Sequence, residues 1–114
     1  MYQFRYDDVM NDDEANARSN ERLLFDQSIE MLDAAKRNGA GSSEAIHAYY
    51  YSTKLWAILM EDLGSPDNAL PKELRANLIS IGIFIMKELE QIRRGESTDY
   101  DSIIEITKTI RDGL

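Results

Sequence analysis

Apolar positions recur at helical spacing in four stretches of this chain, and the third stretch holds more of them than one buried face can use. At about 100° per residue, Leu74, Leu78, Ile81, Ile85, Leu89 and Ile92 share one helical face. Ile79, Ile83 and Met86, spaced i, i+4 and i+7, form a second stripe on roughly the opposite face. A helix apolar on two sides is either enclosed by neighbours on both or keeps one face for a partner. Both readings stand from sequence alone. Gly82, in the middle of this stretch, costs about 1 kcal/mol relative to alanine in a helix interior. Another helix is therefore expected to approach closely there.

The stretch is introduced by a turn. Pro66, Asp67 and Asn68 favour a reversal, and Pro71 suits a first helical position, where no amide is needed. The pattern predicts four helices, at 12–37, 43–63, 71–94 and 99–112. The first has Asn11 and Glu14 as a capping box and Asn38-Gly39 as its stop. Leu24, Phe25, Ile29, Leu32 and Ala35 lie on its inner side, and Leu23 faces away. Ser42 or Ser43 caps the second helix, whose inner face is Ala48, Ser52, Leu55, Leu59 and Leu63, flanked by Tyr49, Tyr51 and Trp56. The third helix ends at Gly95. Thr98 and Asp101 form a box opening the fourth, with Tyr100, Ile103, Ile106, Ile110 and Leu114 on one face and Gly113 as its stop.

Strand-like alternation occurs only at residues 2–6, where Tyr2, Phe4 and Tyr6 alternate with polar neighbours. So short a run makes no sheet alone. It is expected to form an extended arm over residues 1–10, lying against the bundle or ordering on a partner. Short connections favour antiparallel neighbours. The expected fold is all-α: a small antiparallel helical bundle of about four helices with an extended N-terminal arm, forming one domain over residues 1–114.

Composition narrows the function. The 114 residues carry 21 Asp+Glu against 13 Lys+Arg, a net charge of −8. Such a field repels phosphate backbones, so neither nucleic acid nor an anionic membrane is an expected direct partner. No uncharged apolar run approaches the roughly 18 to 20 residues of a membrane span, and MYQFRYDDVM has no signal-peptide pattern. The absence of cysteine excludes disulfides and thiolate metal sites and fits a reducing cytoplasm.

Catalytic chemistry finds no purchase. His47 is the only histidine, and its helical neighbours Glu44, Tyr50 and Tyr51 make no metal site. Glu61-Asp62 and Asp12-Asp13-Glu14 point different ways around a helix, Glu88 and Glu90 share no face, and no glycine-rich phosphate loop is present. No catalytic residue, metal site or cofactor is expected, and the chain reads as a non-enzyme. Binding is better supported. Tyr49, Tyr50 and Tyr51 fan over about 200° of a helix, which turns Tyr50 outward with Lys54, Ala57 and Glu61. An outward tyrosine either anchors an interface or lies flat on its own helix. Burying Ile79, Ile83 and Met86 is worth very roughly 5 kcal/mol. Ile79, Ile83, Met86 and Tyr50 are therefore the candidate partner-binding residues.

The wording of particular segments adds to this. An N-terminal MYQF, the block SPDNALPKELRANLISIGIFIMKE and the ending IIEITKTIRDGL resemble the FlaF family of flagellar biosynthesis regulators of flagellated alphaproteobacteria. The resemblance is collinear over the whole chain. It implies a small cytoplasmic helical protein needed for flagellin production and export, acting with and in opposition to the regulator FlbT. It further implies a flagellin-binding secretion chaperone, with flagellin and FlbT as the partners to be expected and no catalytic residues to carry over. Flagellin has amphipathic terminal helices that pack only in the filament, and a spare apolar stripe could cover one by helix-in-groove docking. The rival reading is a post-transcriptional regulator that acts through FlbT or flagellin message without binding flagellin. Direct contact with message would need a basic patch with stacking aromatics, and Arg93-Arg94 sits beside Glu90 and Glu96.

Overall fold

The computed structural model describes the backbone of residues 6–113 and the side chains of residues 19–113. Four helices follow in order: α1 Tyr6–Asn38, α2 Ser43–Leu63, α3 Lys72–Arg93 and α4 Tyr100–Asp112. The architecture is all-helical. Helix α1 starts earlier than its sequence suggests. Residues 6–10, expected as part of an extended arm, are helical, and the Asn11–Glu14 box falls inside the helix. No proline or glycine interrupts residues 6–38, and once nucleated a helix extends at little cost through such a segment. Tyr2 and Phe4 of the expected arm lie outside the described residues, as does Leu114.

Local chemistry explains the boundaries. Gly39, at φ +88°, follows the last residue of α1 in a left-handed conformation, and its N–H donates to the Ala35 carbonyl at 2.9 Å. Ser42 caps α2: its Oγ accepts from the Ala45 amide at 3.1 Å and donates to the Gly39 carbonyl at 2.7 Å. Pro71 is the N-cap of α3 and precedes its first turn. At the other end of α3, Gly95 donates to Ile92 and Glu96 donates to Gln91, the paired bonds of a Schellman stop. Helix α4 is capped by Asp99, whose carboxylate takes the Ser102 amide at 3.1 Å and the Ser102 hydroxyl at 2.6 Å. The expected Thr98–Asp101 box does not form. Asp99 holds one residue with two bonds, and Asp101 instead pairs with Lys36 of α1 at 2.6 Å.

Helix α1 packs against α2 and α4, α2 also packs against α3, and α3 meets α4 only lightly. Among the described residues α1 and α3 do not pack together. Neighbours run antiparallel. Lys36–Asp101 and Asp26–Arg111 tie opposite ends of α1 and α4, while Tyr49–Glu90 and Met60–Gly82 set the register of α2 against α3. At Gly82 the Met60 side chain of α2 fills the space a Cβ would occupy.

Trp56 is the largest fully buried side chain, with the Phe25 ring edge-on at 6.0 Å. Around them lie Ile29, Leu32 and Ala35 from α1, Ala48 from α2, Ile85 and Leu89 from α3, and Ile103 and Ile104 from α4. On α1 the expected inner face is buried at Phe25, Ile29, Leu32 and Ala35 and departs from expectation at one residue, while the inner faces of α2 and α4 are rotated from their expected phase. Leu24 is exposed. On α2, Trp56 takes the centre, while Leu55 and Leu59 are only partly buried. On α4, Ile104 and Thr107 are buried, and Ile106 and Ile110 turn toward the edge. Each helix has two packed neighbours, so its buried arc bisects two contacts, which periodicity within one helix does not locate.

Candidate partner-binding surface

The two apolar stripes of α3 meet different fates because α3 lies at the edge of the bundle. Its buried arc is Gly82, Ile85 and Leu89. Leu74, expected in the core, is 44% exposed. Helix α4 has 13 residues against 22 in α3. Ile106 and Ile110 in its last turns share a cavity wall with Ile81, and Leu74, nearer the start of α3, is left uncovered.

The second stripe forms a gradient. Met86 packs against the core, Ile79 is partly buried and Ile83 is 59% exposed. The enclosed reading of α3 therefore fails at Ile83, because among the described residues no helix lies on its outer side. Tyr50 is 67% exposed and meets the Tyr49 ring edge-on at 5.3 Å. The α2–α3 register and the helical phase put these residues along one groove. Ile46, Tyr50 and Ala57 follow its α2 wall, and Ile79 and Ile83 its α3 wall. The four candidates thus border one surface, with Met86 at its floor.

The rim was not evident from composition. Lys54 lies one turn beyond Tyr50 and Lys87 one turn beyond Ile83, while Lys72 lies two turns before Ile79. On a chain of net charge −8 this groove is bordered mainly by cations, with Glu61 as the opposing charge on the α2 side.

A polar cluster closes one end of the groove. The Tyr49 hydroxyl donates to Glu90 Oε1 at 3.0 Å, and the same carboxylate pairs with Arg93 and, at 3.3 Å, with Arg94. The hydrogen bond from Arg93, followed by that from Tyr49, pulls the Glu90 carboxyl down to about 2. Burial, followed by the Glu90 bond, pushes the Tyr49 phenol up. The Arg93 guanidinium stands 5.8 Å from the Tyr49 ring centre, within cation–π range. Beside this cluster a cavity of about 320 Å³ is lined largely by Ala45, Ile46, Tyr50, Ile92 and Tyr100. The sequence signal for it was available in retrospect: Glu90 and Arg93 stand at i, i+3.

The geometry offers apolar contact rather than bond chemistry. His47 is exposed, and among the described residues no group of three or more His, Cys, Asp or Glu side chains is placed to hold a metal. No helix among the described residues is long and apolar enough to cross a membrane. Residues 2–114 match the model of the family described as flagellar protein FlaF. The chain belongs to the FlaF family. FlaF proteins are flagellar assembly proteins and are not known as enzymes. No curated protein and no solved structure matches the chain.

Proposed function

We propose that this FlaF protein is a flagellin-binding chaperone and regulator, supporting flagellin production and filament assembly by covering an amphipathic terminal helix of flagellin before export. Its site of action on this reading is the cytoplasm, and the covering surface is the α2–α3 groove. The observation that carries the proposal is the exposure of Ile83 on a wall shared with Ile79, across from Ala57 of α2, with Tyr50 farther along toward the Glu90 end. An apolar groove between two antiparallel helices accepts the apolar face of a third helix by i, i+3, i+4 and i+7 anchors. Exposed tyrosine and isoleucine give such a contact area at modest entropic cost.

The test is titration of monomeric flagellin with Ile83→Glu. That variant is expected to keep its helical content and cooperative melt while binding at least about a hundredfold more weakly, a loss of roughly 2.7 kcal/mol. The new carboxylate is solvated in the free protein and desolvated without a partner in the complex. Ile85→Glu is the control, because Ile85 is fully buried and its replacement should unfold the domain. Unchanged flagellin affinity in a folded Ile83→Glu protein would overturn the proposal.

A further inference from the structure

Helix α3 has a second open side, facing α4. Ile81 of α3 and Ile106 and Ile110 of α4 line a shallow cavity of about 230 Å³, with Glu105 and Thr109 at its edge. The face of α3 that carries Ile81 continues through Leu74 and Leu78 toward one end and Phe84 toward the other. Leu74 and Phe84 are exposed. At about 1.5 Å per residue α3 is about 33 Å long and α4 about 20 Å, so α4 covers little more than half of α3. The seam is the weakest helix–helix contact of the bundle.

Its rim differs in charge from that of the α2–α3 groove. Glu88, one turn beyond Phe84, and Glu105 border the seam, and Glu73 stands next to Leu74. The α3 stripe Asn77, Ile81, Phe84 and Glu88 holds no lysine or arginine, and Lys87 next to it turns toward the α2–α3 side. On α4, Lys108 reaches Glu105 at 3.7 Å from the solvent side. Helix α3 thus separates a lysine-bordered groove from a glutamate-bordered one. A second copy of the chain is a poor occupant of the latter, because a two-fold contact would bring Glu88 and Glu105 against acidic groups of the same seam.

We infer that the α3–α4 seam is a second docking site, distinct from the α2–α3 groove, for an amphipathic helix of a partner protein whose apolar stripe is bordered by Lys or Arg. The partner helix lies beside the uncovered turns of α3 and extends the wall that α4 leaves unfinished. Its cations meet Glu73, Glu88 and Glu105. Because the two grooves lie on different flanks of α3, occupation of one leaves the other accessible.

The experiment uses the full chain and two synthetic helical peptides of about 18 residues, long enough for about 27 Å of contact. Both carry the same leucine stripe, bordered by lysine in one and by glutamate in the other. Fluorescence anisotropy at physiological salt, run in the Ile83→Glu protein so that the lysine-bordered α2–α3 groove does not capture the glutamate peptide, is expected to show the lysine-bordered peptide binding about tenfold or more tightly. Phe84→Lys and Glu88→Lys should each remove that preference. Glu30→Lys, an equal charge change on the exposed face of α1, should preserve it. Equal binding of the two peptides would overturn the inference. So would loss of preference in Glu30→Lys as large as in Glu88→Lys, or self-association of the chain abolished by Phe84→Lys. Since Ile83→Glu is read separately with flagellin, failure at this seam is distinguishable from failure of the α2–α3 reading.

Discussion

Met60 of α2 lies against Gly82 of α3, its Sδ standing where a Cβ on the glycine would be, so a side chain there requires the methionine to move. This contact gives a physical reason for a glycine in the middle of an otherwise regular helix. The helical propensity lost at Gly82, about 1 kcal/mol, is offset by the close approach of α2 on which the Tyr49–Glu90 register also depends.

Gly82→Leu is expected to destabilise the protein by about 1–3 kcal/mol through overpacking. Met60→Ala should recover part of that loss when combined with it, since it empties the space the new side chain needs. Chemical denaturation of the two single variants and the double variant measures the coupling. Additive effects would show that Met60 does not determine what position 82 tolerates.

Ser28 of α1 and Ser52 of α2 are fully buried and share a hydrogen bond of 2.7 Å. Ser28→Ala leaves the Ser52 hydroxyl buried without that partner, at an expected cost of about 1–3 kcal/mol. The double variant Ser28→Ala with Ser52→Ala should be more stable than either single variant, because neither hydroxyl then remains unpaired. Thermal melts of the three proteins check this ordering.

The Glu90 cluster predicts an acid dependence. The folded carboxyl titrates near 2 against an ordinary value of 4.5. Depression in the folded state means that its stabilisation is present above the unfolded value and is lost as pH falls from about 4.5 towards 2. Glu90→Gln should therefore flatten stability against pH in that window relative to the parent. Comparing denaturation midpoints at several acidic pH values measures the difference, and identical slopes would contradict the assignment. The pair is solvent-accessible, so high salt should reduce its effect.

Purified protein is expected to show no micromolar affinity for flagellin message at physiological salt. Lys54, Lys72 and Lys87 border an apolar groove on a chain whose net charge is −8, and long-range repulsion opposes a phosphate backbone. Filter binding across a salt series checks this. Tight binding that weakens steeply with salt would favour a direct action on message.

That this chain is helical, and where most of its turns fall, was legible in its residues alone. Those features depend on neighbours along the chain. Ser42 meets the Ala45 amide three residues on, and Gly39 and Gly95 supply left-handed turns that cost other residues more. The sequence also marked Gly82 as a close approach and Tyr50 as outward, because helical phase follows from residue spacing. The start of α1 was less legible, since Asn11 and Glu14 have capping chemistry but nothing compels a helix to begin at them.

Which apolar side chains are spare became visible once the helices were packed together. Leu74 and Ile85 carry the same periodic signal, yet one is exposed and the other fully buried. The difference is the length and placement of α4, a helix that begins beyond the end of α3. Met86 and Ile83 likewise belong to one stripe, but α2 packs along only one edge of it. Periodicity records the phase of a side chain around its own axis. Burial depends on how many other helices arrive at that phase and how far along it they extend, so the two grooves beside α3 emerged only when the four helices were placed together.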